Sequence, residues 1–181
     1  MKLYLHFCSA IYIIFLVSCT SPDPPKSQSD PNQVTQSQKV VTLDEKLKIA
    51  MGQTIYVPVY SHIYHEDQHK ILNLAATLSI RNTDQTNRII ITSVRYYDSD
   101  GKLVRQYLTQ PIQLGAMAST DFVVARTDSS GGVGANFIVK WVAEKEISEP
   151  VVEAVMIGTE SSQGISFISS GKVIKSMNNE Q

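Results

Sequence analysis

Cysteine is nearly absent. The 181-residue chain has two, Cys8 within its N-terminal leader and Cys19 just after it, so the folded part is expected to hold neither a disulfide nor a free thiol. Thiol catalysis is excluded there, and the core alone must hold the fold. Charge of one sign is equally lacking. Sixteen Lys and Arg stand against 17 Asp and Glu, with no concentrated basic run of the kind nucleic-acid binding requires. Nucleic acid is therefore not an expected partner. There is one tryptophan, no Gly-x-Ser-x-Gly nucleophile elbow and no phosphate loop ending in Gly-Lys-Ser/Thr. Proline is scarce outside one segment: four of the seven, Pro22, Pro24, Pro25 and Pro31, fall within ten residues of one another.

What is present begins with MKLYLHFCSAIYIIFLVS, residues 1–18, which has one positive charge at Lys2 and an apolar run from Ile11 to Val17. This is the layout of a secretory signal peptide, too short for a comfortable membrane span. Leu16-Val17-Ser18-Cys19 resembles the lipobox of bacterial lipoproteins. The resemblance implies that Cys19 is acylated with palmitate-type chains and becomes the first mature residue; two or more such chains anchor a protein stably to a membrane. The implied location is the bacterial cell envelope, at the outer membrane or periplasmic face. Residues 19–39 are polar and proline-rich, a composition that cannot bury enough apolar area to fold, and they are expected to be a disordered tether.

From residue 40 to 175 no second linker or repeat interrupts the chain, so a single domain is expected, followed by a flexible tail over 176–181. Period-two alternation dominates. In LNLAATLSIRN, Leu72, Leu74, Ala76, Leu78 and Ile80 share one side; in RIIITSVRYYD, Ile90, Val94 and Tyr96 do. DSDG, Asp98 to Gly101, reads as a hairpin turn. Trp141 is assigned to the core beside Phe137 and Val139. Pro58 predicts an edge strand or a bulge in its run, and TLDEKLKIAMG is the one helix candidate, with Thr42 and Glu45 as a capping box. The pattern predicts an all-β fold, an antiparallel immunoglobulin-like β-sandwich of about seven to eight strands.

Several stretches together, GQTIYVPVYSHIYH, LSIRNTD, SVRYYDSDGKLV, GGVGANFIVKW and EPVVEAVMIGTESSQGISF, resemble a bacterial envelope lipoprotein family known as domain of unknown function 3124. The match runs from about Gly52 to Gly171. It implies one domain behind a lipoprotein-type leader and carries no catalytic residue with it.

Three of the four histidines, His62, His65 and His69, lie in YSHIYHEDQHK beside Glu66 and Asp67. Imidazoles suit zinc, copper or nickel. Strand parity sets His62 and His65 on opposite faces, whereas a loop at Glu66-Asp67-Gln68 would make His65 and His69 cross-strand neighbours. Tyr56, Tyr60 and Tyr64 share a parity and form a candidate partner surface. Gly131, Gly132 and Gly134 lead into a strand rather than a helix and read as a turn. Glu144, Glu146, Glu149 and Glu153 read as a solvated loop and strand edge rather than paired catalytic carboxylates. The expected function is a membrane-anchored, non-enzymatic binding module of the envelope with no cofactor, meeting an envelope protein; the alternative is a periplasmic transition-metal-binding or delivery protein using the histidine cluster.

Overall fold

The computed structural model describes residues 38–41, 48–160 and 163–178, all within one compact unit, Val34–Gln181. The expected signal peptide, Cys19, nearly all of the tether and the Thr42/Glu45 capping box lie outside the described residues. The strands are β1 (Gln38–Val40), β2 (Met51–Pro58), β3 (His62–His65), β4 (Asp67–Asn73), β5 (Ala75–Arg81), β6 (Ile89–Tyr97) and β7 (Leu103–Gln106). They continue with β8 (Ile112–Leu114), β9 (Ser119–Val124), β10 (Asn136–Ala143), β11 (Val151–Glu160), β12 (Gln163–Ser170) and β13 (Lys172–Asn178). No helix occurs among the described residues. The helix candidate fails where it can be seen, because Met51 and Gly52 open β2.

The fold is all-β and antiparallel. A seven-stranded sheet runs β1-β8-β6-β10-β2-β13 with β7 added beside β6; a four-stranded sheet runs β12-β11-β5-β9; β3 and β4 form a two-stranded hairpin. Alternation fixes which face is buried, because successive side chains point to opposite sides of a strand. Ile55 and Val57 of β2, Phe137, Val139 and Trp141 of β10, Leu78 and Ile80 of β5, and Ala154 and Met156 of β11 join one buried cluster fed by both larger sheets. Trp141 is in that core, as its apolar neighbours require.

Among the described residues thirteen strands stand where seven to eight are expected, in part because two long extended runs are each divided between two sheets. LNLAATLSIRN divides at Leu74, which is fully buried and donates its N–H to Ser61 O, between the hairpin and the four-stranded sheet. ISFISSGKVI divides at Gly171, where a Cβ would stand 2.7 Å from Val152 O, so only glycine lets the chain cross from one sheet edge to the other. The short β1 and β8 carry too little alternation to be seen in sequence.

Two expectations of facing are corrected. Ile89, Ile91, Val94 and Tyr96 join the main buried cluster, while Ile90, itself only 1% exposed, is buried on the opposite face of the sheet beside Val142. The register against β10 shifts between Lys140 and Trp141, leaving Thr92 as an extra residue that inverts the parity of everything after it. β2 is not an edge strand; it lies between β10 and β13. Pro58 is tolerated because it is the last residue of β2, while β13 begins opposite Tyr56, so no ladder bond is asked of its missing N–H on that side. At the other limits, β1 takes up Gln38 and Lys39, and β13 takes up Ser176 to Asn178.

Candidate functional site

The hairpin β3–β4 carries the histidines. His62 stands opposite Asn73 and Tyr64 opposite Ile71, but the ladder then shifts so that His65 faces Asp67, with Glu66 between them at φ 66°. Asp67 makes this turn, its Oδ1 accepting the N–H groups of His69 and Lys70 at 2.8 and 3.1 Å. Lys70 pairs with Glu66. His69 is therefore not across the ladder from His65. His62 packs edge-on against Tyr64 at 5.7 Å, and its Nδ1 is buried without a hydrogen-bond partner, as is Asn73 Oδ1. Among the described residues, no three His, Cys, Asp or Glu side chains gather as a metal-binding group.

The three tyrosines separate. Tyr56 is on β2; Tyr60 lies beyond its end, edge-on to Phe167 of β12 at 5.9 Å; Tyr64 belongs to the hairpin.

The glycine-rich loop is a lid on the core. Ser61, fully buried, directs its hydroxyl at Ser129 O and Gly132 O. Ser99 donates its N–H and hydroxyl to Gly131 O, and its Oγ accepts from Gly134 N–H at 2.9 Å. Gly132 has φ 75°, which its lack of a Cβ permits. Beneath lies Tyr96, packed on Phe137 at 5.1 Å. Burial, reinforced by the charge of Asp128, pushes its phenol up to about 12. Ser61 is a near neighbour, yet the Tyr96 hydroxyl reaches hydrogen-bond geometry with no described group. Arg105 closes the loop by donating to Asp128 Oδ2 at 3.0 Å, and hydrogen bonds from Ser130 hold Asp128 below the usual carboxylate range against the opposing effect of burial.

The glutamates do not converge. Glu144 holds Arg88 at 2.8 Å, Glu153 pairs with Arg81 at 3.5 Å, and Glu149 accepts from Gln53. Glu153 is in an inner strand, since β11 lies between β12 and β5. A cavity of ≈ 400 Å³ is lined by Asn87, Arg88, Glu144 and Lys145 among others; Arg88 there already holds Glu144 and donates to Gln113 at 2.7 Å.

Sequence reasoning missed the face of the seven-stranded sheet that points away from the core. Residues directly opposite in a ladder share a face, so Lys172, Tyr56, Ile138, Arg95 and Gln106 form one row across five strands. Lys175, Thr54, Lys140 and Ser93 form the next. Not one Asp or Glu occurs in the seven strands of this sheet, whereas the four-stranded sheet carries Asp121, Glu153 and Glu160. Lys140, Lys172 and Lys175 are exposed, and neither they nor Arg95 makes an ion pair among the described residues. Arg95 Nε is buried and unpartnered. Tyr56 and Tyr97 stand half-buried among them.

These features define, among the described residues, an antiparallel all-β protein with one basic sheet face whose strands carry no carboxylate. The chain belongs to the family described as protein of unknown function DUF3124, whose model matches residues 52–174. No curated protein matches it. Among solved structures, the crystal structure of Thermotoga maritima 1070 is similar with a TM-score of 0.40 and 11% identity over 66% of this chain and 92% of that one.

Proposed function

We propose that this protein is a lipid-anchored, non-enzymatic binding module of the bacterial envelope, built as an immunoglobulin-like sandwich, and that its partner surface is the outer face of the seven-stranded sheet. The observation that carries this reading is the row structure of that face: four cations with no carboxylate on any strand. Unpaired charge on a rigid sheet is costly to keep by chance arrangement, since like charges on adjacent strands repel, and a partner of opposite sign relieves the repulsion. Tyr56, already a candidate from sequence, falls on this face. The leader supports the anchor. Changing Cys19→Ala should release the protein from the membrane fraction, and continued tight association would refute lipidation. Photocrosslinkers placed at Ile138 and Thr54 in the native envelope should capture a specific partner; repeated failure, with capture at a control site no weaker, would refute the face.

A second reading is transition-metal binding at the hairpin. The observation favouring it is the unpartnered, buried Nδ1 of His62. Titration with zinc, copper and nickel tests it: no binding tighter than about 1 mM, or binding unchanged when His62, His65 and His69 are all replaced by Ala, retires the idea.

A further inference from the structure

We infer that the two basic rows on the outer face of the seven-stranded sheet dock on an anionic phospholipid membrane. The inference rests on the reading of that face as the partner surface and names the partner. Geometry is the first argument. With strands about 4.8 Å apart, Lys172 and Arg95 are separated by roughly 14 Å across three spacings, and Lys175 and Lys140 by roughly 10 Å. Two such rows present charge over a plane rather than into a pocket or groove. A plane of phosphate headgroups meets the three exposed lysines at once, with the half-buried Arg95 beside them.

Composition is the second. Cores of protein interfaces are depleted in Lys. Clusters of four or more Lys and Arg held at a surface are what anionic leaflets attract, each charge acting within a Debye length of about 8–10 Å. Three of the four cations here are lysines on flexible stems, free of any carboxylate among the described residues. Tyr56 and Tyr97 supply amphipathic rings of the type that settle at headgroup level.

Reach is the third. A flexible polar segment of about 20 residues spans roughly 25 Å, so on the lipobox reading a domain anchored through Cys19 would stay within about that distance of the headgroups. An intramolecular contact of this kind needs little intrinsic affinity, because short linkers give effective concentrations of about a millimolar. The sheet face would then set which way the domain lies.

The test uses the full chain carrying Cys19→Ala, so that acyl chains contribute nothing. Cosedimentation with vesicles of phosphatidylglycerol and phosphatidylcholine should exceed that with pure phosphatidylcholine, and the excess should vanish in about 0.5 M salt. Binding through the leader, which carries Lys2 and favours anionic vesicles too, is common to the parent chain and the lysine variants and cancels when they are compared. Replacing Lys140, Lys172 and Lys175 each by Glu should lower the excess about fivefold or more per site. The same charge change at Lys70 and Lys145, which lie off this face, should leave it unaltered. Thermal melting confirms folding of each variant, and Lys140→Glu alone serves if the triple variant melts early. Equal binding to both vesicles, or an excess that survives Lys140→Glu with Lys172→Glu, overturns the inference. Retention equal for soluble polyphosphate and vesicles also overturns it, in favour of phosphate recognition without a membrane. The photocrosslinkers at Ile138 and Thr54 separate the two levels: capture of a protein refutes the membrane while keeping the face, and capture of neither lipid nor protein refutes both.

Discussion

Gly131 lies directly against the phenol of Tyr96. A Cβ built on Gly131 would collide with the Tyr96 hydroxyl and stand 2.6 Å from Cζ and 2.7 Å from Ala135 Cβ. The loop can seal the core at this point only because the residue has no side chain. Gly131→Ala should cost about 1–3 kcal/mol of stability, the usual range for overpacking, read as a lower denaturation midpoint. Tyr96→Phe, which removes a buried hydroxyl with no partner, should cost less than about 1 kcal/mol or stabilise. In the Tyr96→Phe background the cost of Gly131→Ala should fall without disappearing, since Ala135 still crowds the site. Additive effects would contradict the contact.

Tyr96 also sets an alkaline limit. Its folded pKa is raised from 10.0 to about 12 by burial. The unfolded chain then releases the proton first as pH rises, so its contribution to stability is whole below pH 10 and is lost between 10 and 12. Denaturation midpoints should fall over that window in the native protein. Tyr96→Phe should flatten the fall.

Asp84 acts at the other end of the scale. Backbone hydrogen bonds from Thr86 and Asn87 hold its carboxylate down to about 2, from 3.8. A depressed pKa gives stability that is present above about pH 4 and lost as pH falls towards 2. Acid unfolding should therefore be less steep in Asp84→Asn, with a lower plateau at neutral pH. An unchanged acid limb would show that the loop opens before it titrates.

Asn82 is buried at 2% exposure. Its Nδ2 donates to Asn87 O and Gly115 O at 2.8 Å each, and its Oδ1 accepts Asp84 N–H at 3.0 Å. Asn82→Ala should destabilise by about 2–4 kcal/mol through the buried groups left unpaired. Asn82→Asp should be worse at pH 7, because it turns a carboxylate towards those carbonyls. Urea denaturation of both variants checks the order.

Much of the architecture was legible in residues 72–80 and 137–141, where strict alternation names the core face and the structure agrees. The turn at Asp98 to Gly101 was equally readable, with Gly101 at φ 78°. Legibility stops where one residue changes the count. Thr92 reverses the facing of β6, and nothing in ITSV distinguishes a bulge from a regular strand. The shift at His65 likewise depends on where Asp67 turns the chain. The basic face was hidden for another reason: its cations come from β6, β10 and β13, which are neighbours of one sheet only through pairings between distant segments. Overall charge, near zero, concealed a separation of sign between two sheets. The missing carboxylates were in plain view in each strand, but only the strand order gives their absence a location.

The placement of β2 between β10 and β13 also bears on how the chain is made. Lys172 pairs with Tyr56, and Ser176 with Gln53, so one edge of β2 waits for a strand that emerges far later from the ribosome and from any export channel. Until then an apolar strand with Ile55 and Val57 presents open N–H and C=O groups, the condition under which edges find wrong partners. A chain cut at Gly171 would keep that edge open for its lifetime, and its fate would be aggregation or proteolysis rather than partial function.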